Sequence, residues 1–160
     1  CSFCRGKPGV RLWINDHWSL AISHGASGVH LGQSDLPGFV SGGGVGRARR
    51  SGTLLGISTH SVAELAVAKG MGPTYVSLGP VYGTESKEVA FRPRGLGQVE
   101  RWRELVEEGT PLVAIGGINS IERGKEVRGR GAETVAVLGL VKGKGKEEVK
   151  RIIEEWREEL

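Results

Sequence analysis

Six short apolar runs, each breaking off into Gly, Asn, Asp or Ser, constrain this chain most: RLWIND, GVHLGQ, TLLGIST, YVSLGP, PLVAIGG and TVAVLG. Each is apolar on consecutive positions, which predicts buried parallel strands; an antiparallel sheet with one wet face would alternate apolar and polar. Helical segments separate them. HSVAELAVAKG opens on Ser61 with Glu64 three residues on, a capping box, and Gly70 reads as its C-terminal stop. GLGQVERWRELVEEG and NSIERGKEVRGRG behave alike, with Gly124 weakening the second. KEEVKRIIEEWREEL sets Val149, Ile152, Ile153, Trp156 and Leu160 on one stripe.

Strand, loop and helix recurring at intervals of roughly 15 to 40 residues predict right-handed βαβ units. No G-x-G-x-x-G follows the first run, which removes the usual mark of a dinucleotide fold. The late runs ending in AIGG and AVLG suit a TIM-type α/β barrel, where the loops after the last two strands commonly bind phosphate. A length of 160 residues with 38% apolar content fits a single domain, 1–160. The 27 glycines lie scattered at the ends of runs and read as tight turns.

Charge is uneven. Residues 1–80 hold 7 Lys/Arg against 3 Asp/Glu, while residues 81–160 hold 15 of each, so the net charge of +4 belongs to the first half. Arg47, Arg49 and Arg50 in GGGVGRARRSG suggest a nucleic-acid arm, but no aromatic residue is interleaved for base stacking, which disfavours that role. No apolar run reaches membrane-spanning length. Cys1 and Cys4 form a C-x-x-C without further ligands at zinc-finger spacing. The four histidines have no H-E-x-x-H relation, and no Ser-His-Asp elbow is present.

Ligands of parallel α/β sheets sit at the carboxyl ends of the strands, so the residues after each run are weighed together. Asn15 and Asp16 follow the first run, Gln33 and Asp35 the second, Ser58 and Thr59 the third, and Thr84, Ser86 and Lys87 the fourth. Gly116, Gly117 and Ile118 end the fifth, Leu138 and Gly139 the sixth. Asp16 and Asp35 would leave neighbouring strands at one rim and could share a Mg²⁺ ion, which takes one or two carboxylates plus water and phosphate oxygens. Asp16 also suits a helix cap before His17, and Asp35 the turn at Pro37; spacing leaves both readings open. His30 suits a core histidine as well as a substrate contact.

These strings, in this order, closely resemble the thiamine phosphate synthase family, from LWIND through GVHLGQSDLP, LLGIST, YVSLGPVYGTESK and PLVAIGGI to TVAVLG. IND and HLGQ-x-D point to the synthase more than to its thiazole tautomerase relatives. The resemblance implies a (β/α)8 TIM barrel and a transferase that joins a pyrimidine diphosphate to a thiazole phosphate with Mg²⁺. It implies Asp16 and Asp35 as metal ligands, and Asn15, Ser58 and Lys87, with His30 close by, at the pyrimidine diphosphate. Thr84 and Ser86 would meet the thiazole half, and Gly117, Ile118, Leu138 and Gly139 its phosphate. Pyrophosphate would leave first, and the thiazole nitrogen would trap the resulting cation. A tautomerase-like or non-catalytic phosphate-binding barrel is the alternative.

The chain departs from the family pattern in three places. T-E-S-K stands where T-x-T-K is usual, and Gly139 where a serine is common. The family's first two strands, the second with a Gln-x-Arg-x-Lys set that grips diphosphate, precede the stretch that RLWIND opens. The expectation is a barrel of about six βα units, N-terminally truncated, with residues 1–10 the end of a helix. Such a chain would have little synthase activity alone, and would act in the cytoplasm or an organelle stroma, as a homo-oligomer or part of a larger polypeptide.

Overall fold

A computed structural model of the chain describes residue 4, residues 7–84 and residues 92–160. Cys1, Ser86 and Lys87 lie outside the described residues. All six expected strands are present: β1 (Trp13–Asn15), β2 (Gly28–Leu31), β3 (Leu54–Thr59), β4 (Tyr75–Leu78), β5 (Leu112–Ile115) and β6 (Thr134–Ala136). Sheet neighbours follow chain order, and the pairs β1–β2, β2–β3 and β5–β6 are parallel. The connections carry α1 (Trp18–Ser23), α2 (Leu36–Ser41), α3 (Gly44–Ser51), α4 (Val62–Gly70), α5 (Leu96–Leu105) and α6 (Ile121–Gly129), and α7 (Lys146–Glu159) follows β6. The chain divides into two compact units, Cys1–Val76 and Ser77–Leu160.

In the first unit the register sets Trp13 beside Gly28, and Asn15, His30 and Gly56 in one row across β1, β2 and β3. Side chains alternate across a strand, so Val29, Leu31, Leu55 and Ile57 share one face, and all four are buried. Helices α1 and α4 pack on β2 and β3 respectively. The opposite face carries Asn15, His30 and Ser58, spaced by two glycines with rings above them. A Cβ on Gly28 would lie 2.4 Å from the Trp13 ring, and one on Gly56 would lie 2.2 Å from Tyr75 Cζ. The two rings meet edge to face, 5.0 Å between centroids.

GGGVGRARRSG, the candidate arginine arm, is mostly helix α3, and the preceding LPGFVS is α2. Glycine hides both from a propensity reading because it serves as punctuation and clearance here. Gly43 and Gly52 bracket α3 with φ of 68° and 67°, and a Cβ on Gly44 would meet the Phe39 ring at 2.2 Å. Arg47 lies over Trp18, 5.1 Å from the ring centroid. Helix α4 begins as expected, Ser61 Oγ accepting from the Glu64 N–H at 3.2 Å, while Glu64 reaches back to the His60 N–H at 2.5 Å. Its end differs: the helix includes Gly70, and the left-handed residue is Gly72, φ 62°.

In the second unit, α5 buries Val99 and Trp102, and α6 buries Gly124 and Val127. Gly124 is where α7 comes close, since a Cβ there would lie 2.9 Å from Leu160 Cδ1 and 3.3 Å from Trp156 Cζ3. The stripe on α7 is half covered, with Ile153 still 47% exposed. Among the described residues no helix is long and apolar enough to cross a membrane.

The ring-over-glycine packing yields a first test. Gly28→Ala must displace Trp13 and is expected to destabilise the chain by about 1–3 kcal/mol, read as a lower urea midpoint with altered tryptophan emission. An unchanged midpoint would show that the ring has room to spare.

Candidate functional site

The first unit brings five of the candidate residues to one end of its strands. Asp16, one residue past β1, has φ 62°, a left-handed conformation that costs a non-glycine residue of order 1–3 kcal/mol. Backbone bonds on both sides hold it: its N–H donates to His30 O at 2.9 Å, and its carbonyl accepts from the Trp18 N–H at 2.8 Å. The cap position of α1 falls to His17, which makes no side-chain cap bond. Asp35 does occupy the cap position of α2, yet its carboxylate turns back and accepts from the Gly32 N–H at 2.8 Å. Neither aspartate side chain is spent on capping a helix.

His30 stands between these carboxylates and β3. Its Nδ1 is 2.8 Å from Tyr75 Oη and its Nε2 2.7 Å from Ser58 Oγ, and Gln33 Nε2 donates to Ser58 O at 2.7 Å. Burial holds the imidazole below its ordinary pKa of 6.5, against a smaller upward pull from Asp16 and then Asp35. Burial also pushes the Tyr75 hydroxyl up to about 12, so it stays protonated at neutral pH. Tyr75 was not singled out in the sequence. The available signal was Gly56, an unpackable position in the middle of an apolar strand.

The donor set suits Mg²⁺. Two carboxylates leave adjacent parallel strands, and both lie close enough to His30 to shift its titration. No group of three His, Cys, Asp or Glu able to hold a metal occurs among the described residues, so the aspartates would form part of a coordination shell completed by water and phosphate oxygens.

The second unit holds the other described candidates. Gly116 and Gly117 follow β5 with φ of 96° and 67°, and a Cβ on Gly117 would lie 2.3 Å from Gly83 O. Only glycine fits. Tyr82 N donates to Gly116 O at 3.0 Å, which ties the loop after β4 to the loop after β5. Ile118 is buried, Thr84 is half-buried, and Leu138 and Gly139 lie exposed in the turn after β6. Two residues not foreseen join them: Arg123 Nη1 donates to Gly117 O at 2.7 Å, and its guanidinium stacks on Tyr82.

The strand order and the alternating helices define an α/β protein of the TIM-barrel type, and FabK from Thermotoga maritima, 19% identical, shares this fold with a TM-score of 0.64 over 84% of this chain and 43% of that one. The family model described as thiamine monophosphate synthase matches residues 2–141, and the chain belongs to that family. It is 44% identical to the thiamine-phosphate synthase of Yersinia pestis (strain Pestoides F) over 82% of this chain and 59% of that protein. The thiamine-phosphate synthase of Enterobacter sp. (strain 638) is also 44% identical, over 84% and 61%. A solved thiamine phosphate pyrophosphorylase from Pyrococcus furiosus superposes with a TM-score of 0.69 at 29% identity, covering 92% of this chain and 69% of that one. The chain thus spans about three fifths of the length of the curated relatives it matches.

The buried imidazole has a measurable consequence. A folded pKa below the unfolded one means that the stability His30 contributes is present above the unfolded value and is lost as pH falls through the folded value. Titrating the imidazole by NMR should give a midpoint below 6.5. A midpoint at or above 6.5 would mean that the aspartates outweigh burial.

Proposed function

We propose that the protein is a Mg²⁺-dependent transferase that condenses 4-amino-2-methyl-5-(diphosphooxymethyl)pyrimidine with a thiazole phosphate, releasing pyrophosphate and forming thiamine phosphate. The observation that carries this reading is the gathering of Asn15, Asp16, His30, Asp35 and Ser58 at the ends of adjacent strands, in a chain of this family. Two carboxylates, Asp35 with one oxygen already accepting from the Gly32 N–H, beside an imidazole that burial keeps neutral and a hydroxyl suit a metal-bound diphosphate better than they suit acid–base chemistry.

Asp16 and Asp35 would hold Mg²⁺, which when bound supplies charge stabilisation to the departing diphosphate. Asn15 and Ser58 would hydrogen-bond the pyrimidine diphosphate, and His30, anchored by Tyr75, would fix the Ser58 hydroxyl. Lys87 would face the leaving group. Thr84 and Ser86 would contact the thiazole half, and the backbone at Gly117, Ile118, Leu138 and Gly139 its phosphate. Loss of pyrophosphate leaves a pyrimidine-methyl cation, and the thiazole nitrogen supplies the electron pair that forms the new C–N bond. No general base is needed, because this nitrogen carries no proton. Fixed donors and charges aimed at the diphosphate are the main source of rate in such a scheme.

The test supplies both substrates and Mg²⁺ to the chain fused behind the first two strands of a relative, so that the protein assayed carries the segment the family places before β1. Thiamine phosphate should form, chelation of Mg²⁺ should stop it, and Asp16→Ala or Asp35→Ala should each slow it by about 100-fold or more. No product at any Mg²⁺ concentration would refute the proposal. Turnover that survives both substitutions would remove the aspartates from it.

A further inference from the structure

Arg123 is the residue of the second unit that the reading above leaves without a purpose. It sits in the first turn of α6, whose cap is Ser120, accepting from the Arg123 N–H at 3.4 Å. A cation there opposes the positive end of the helix dipole, so charge alone does not account for it. Its side chain folds back over the turn between β5 and α6. Nη1 donates to Gly117 O at 2.7 Å and to Asn119 Oδ1 at 3.1 Å, and the guanidinium carbon lies 4.5 Å from the Tyr82 ring centroid. Tyr82 is itself fixed, its hydroxyl donating to Glu126 Oε2 at 2.6 Å. Burial and then the Glu126 carboxylate push that hydroxyl up to about 12, so the donor persists at neutral pH.

A planar trans peptide points its N–H opposite to its C=O. Holding Gly117 O therefore fixes the direction of the Ile118 N–H. Gly117, at φ 67°, could otherwise turn this peptide plane over at little cost. We infer that Arg123 is a positioning residue: stacked on Tyr82 and bonded to the Gly117 carbonyl, it locks the Gly117–Ile118 peptide so that the Ile118 N–H is presented to the phosphate of the thiazole substrate. The inference rests on the function proposed above and adds to it the device that keeps a glycine-rich turn ready for an anion. Arg123 itself, spent on Gly117, Asn119 and Tyr82, acts through the turn.

Calorimetric titration with the thiazole phosphate and, separately, with its dephosphorylated alcohol separates the possibilities, using the chain and its Arg123→Ala and Arg123→Lys variants. Arg123→Ala should weaken the phosphate by about tenfold or more, the scale of one lost charge-assisted hydrogen bond, and leave the alcohol within about twofold. Arg123→Lys should recover part of the loss, because an ammonium can still bond Gly117 O but not stack as a plane. Equal weakening of phosphate and alcohol would mean general damage and overturn the inference. Unchanged phosphate affinity in Arg123→Ala, with the wild type binding, would overturn it while sparing the proposed function. Failure of the wild-type chain to bind the phosphate would overturn the inference, whereas the proposed function is decided separately by product formation in the fused protein.

Discussion

The parallel register of the first three strands is the constraint on which the candidate site depends. It places Asn15, His30 and Gly56 in one row, and strand alternation then puts Ser58 on the same face. The absence of a side chain at Gly56 gives Tyr75 the space to lie across β3 and reach His30. A shift of one residue in β2 would turn His30 to the opposite face and bring Val29 or Leu31 into the polar row. The apolar residues buried on that opposite face enforce the register, so core packing and site geometry are one requirement. The cost appears at Asp16, which leaves β1 in a left-handed conformation that two backbone hydrogen bonds hold.

The second unit meets its requirement with backbone. Gly116 and Gly117 adopt conformations that other residues resist, and the space around them admits no Cβ. Small residues let a ligand approach the chain, but they also leave the chain loose. The Arg123–Tyr82–Glu126 contacts answer that problem from side chains outside the turn. On the proposed function, the two units would meet phosphate in two ways: carboxylates that would hold a metal ion, and peptide groups that would donate hydrogen bonds directly. Geometry fixed before a substrate arrives is what makes electrostatic stabilisation effective.

Much of this was legible in the sequence, for identifiable reasons. Consecutive apolar positions marked all six strands, although β1 and β6 contain no buried residue, and Ser61 with Glu64 marked the start of α4 because the cap is a local hydrogen bond. The polar residues after the strands could be grouped because parallel strands deliver their ends to one side. What was not legible depended on side-chain packing that a propensity reading does not show. Helix α3 was obscured by glycines whose purpose is clearance for Phe39, and Gly124 looked like a weak point in α6 although it is where α7 packs. Tyr75 and Arg123 gained meaning only when their partners, 45 residues away at His30 and 6 residues away at Gly117, were in place. The aspartates had competing readings, Asp16 as a helix cap and Asp35 as the turn at Pro37; the cap of α1 falls to His17, while Asp35 does sit at the start of α2 with its carboxylate on the Gly32 N–H.

The central claim is that Asp16 and Asp35 together form a metal-dependent diphosphate site. Calorimetric titration of inorganic pyrophosphate into the chain, with and without Mg²⁺, addresses it most directly. The account predicts binding that requires Mg²⁺ and that disappears when both aspartates are replaced by asparagine. Pyrophosphate affinity that is the same without Mg²⁺, or the same in the Asp16→Asn, Asp35→Asn variant, would contradict it.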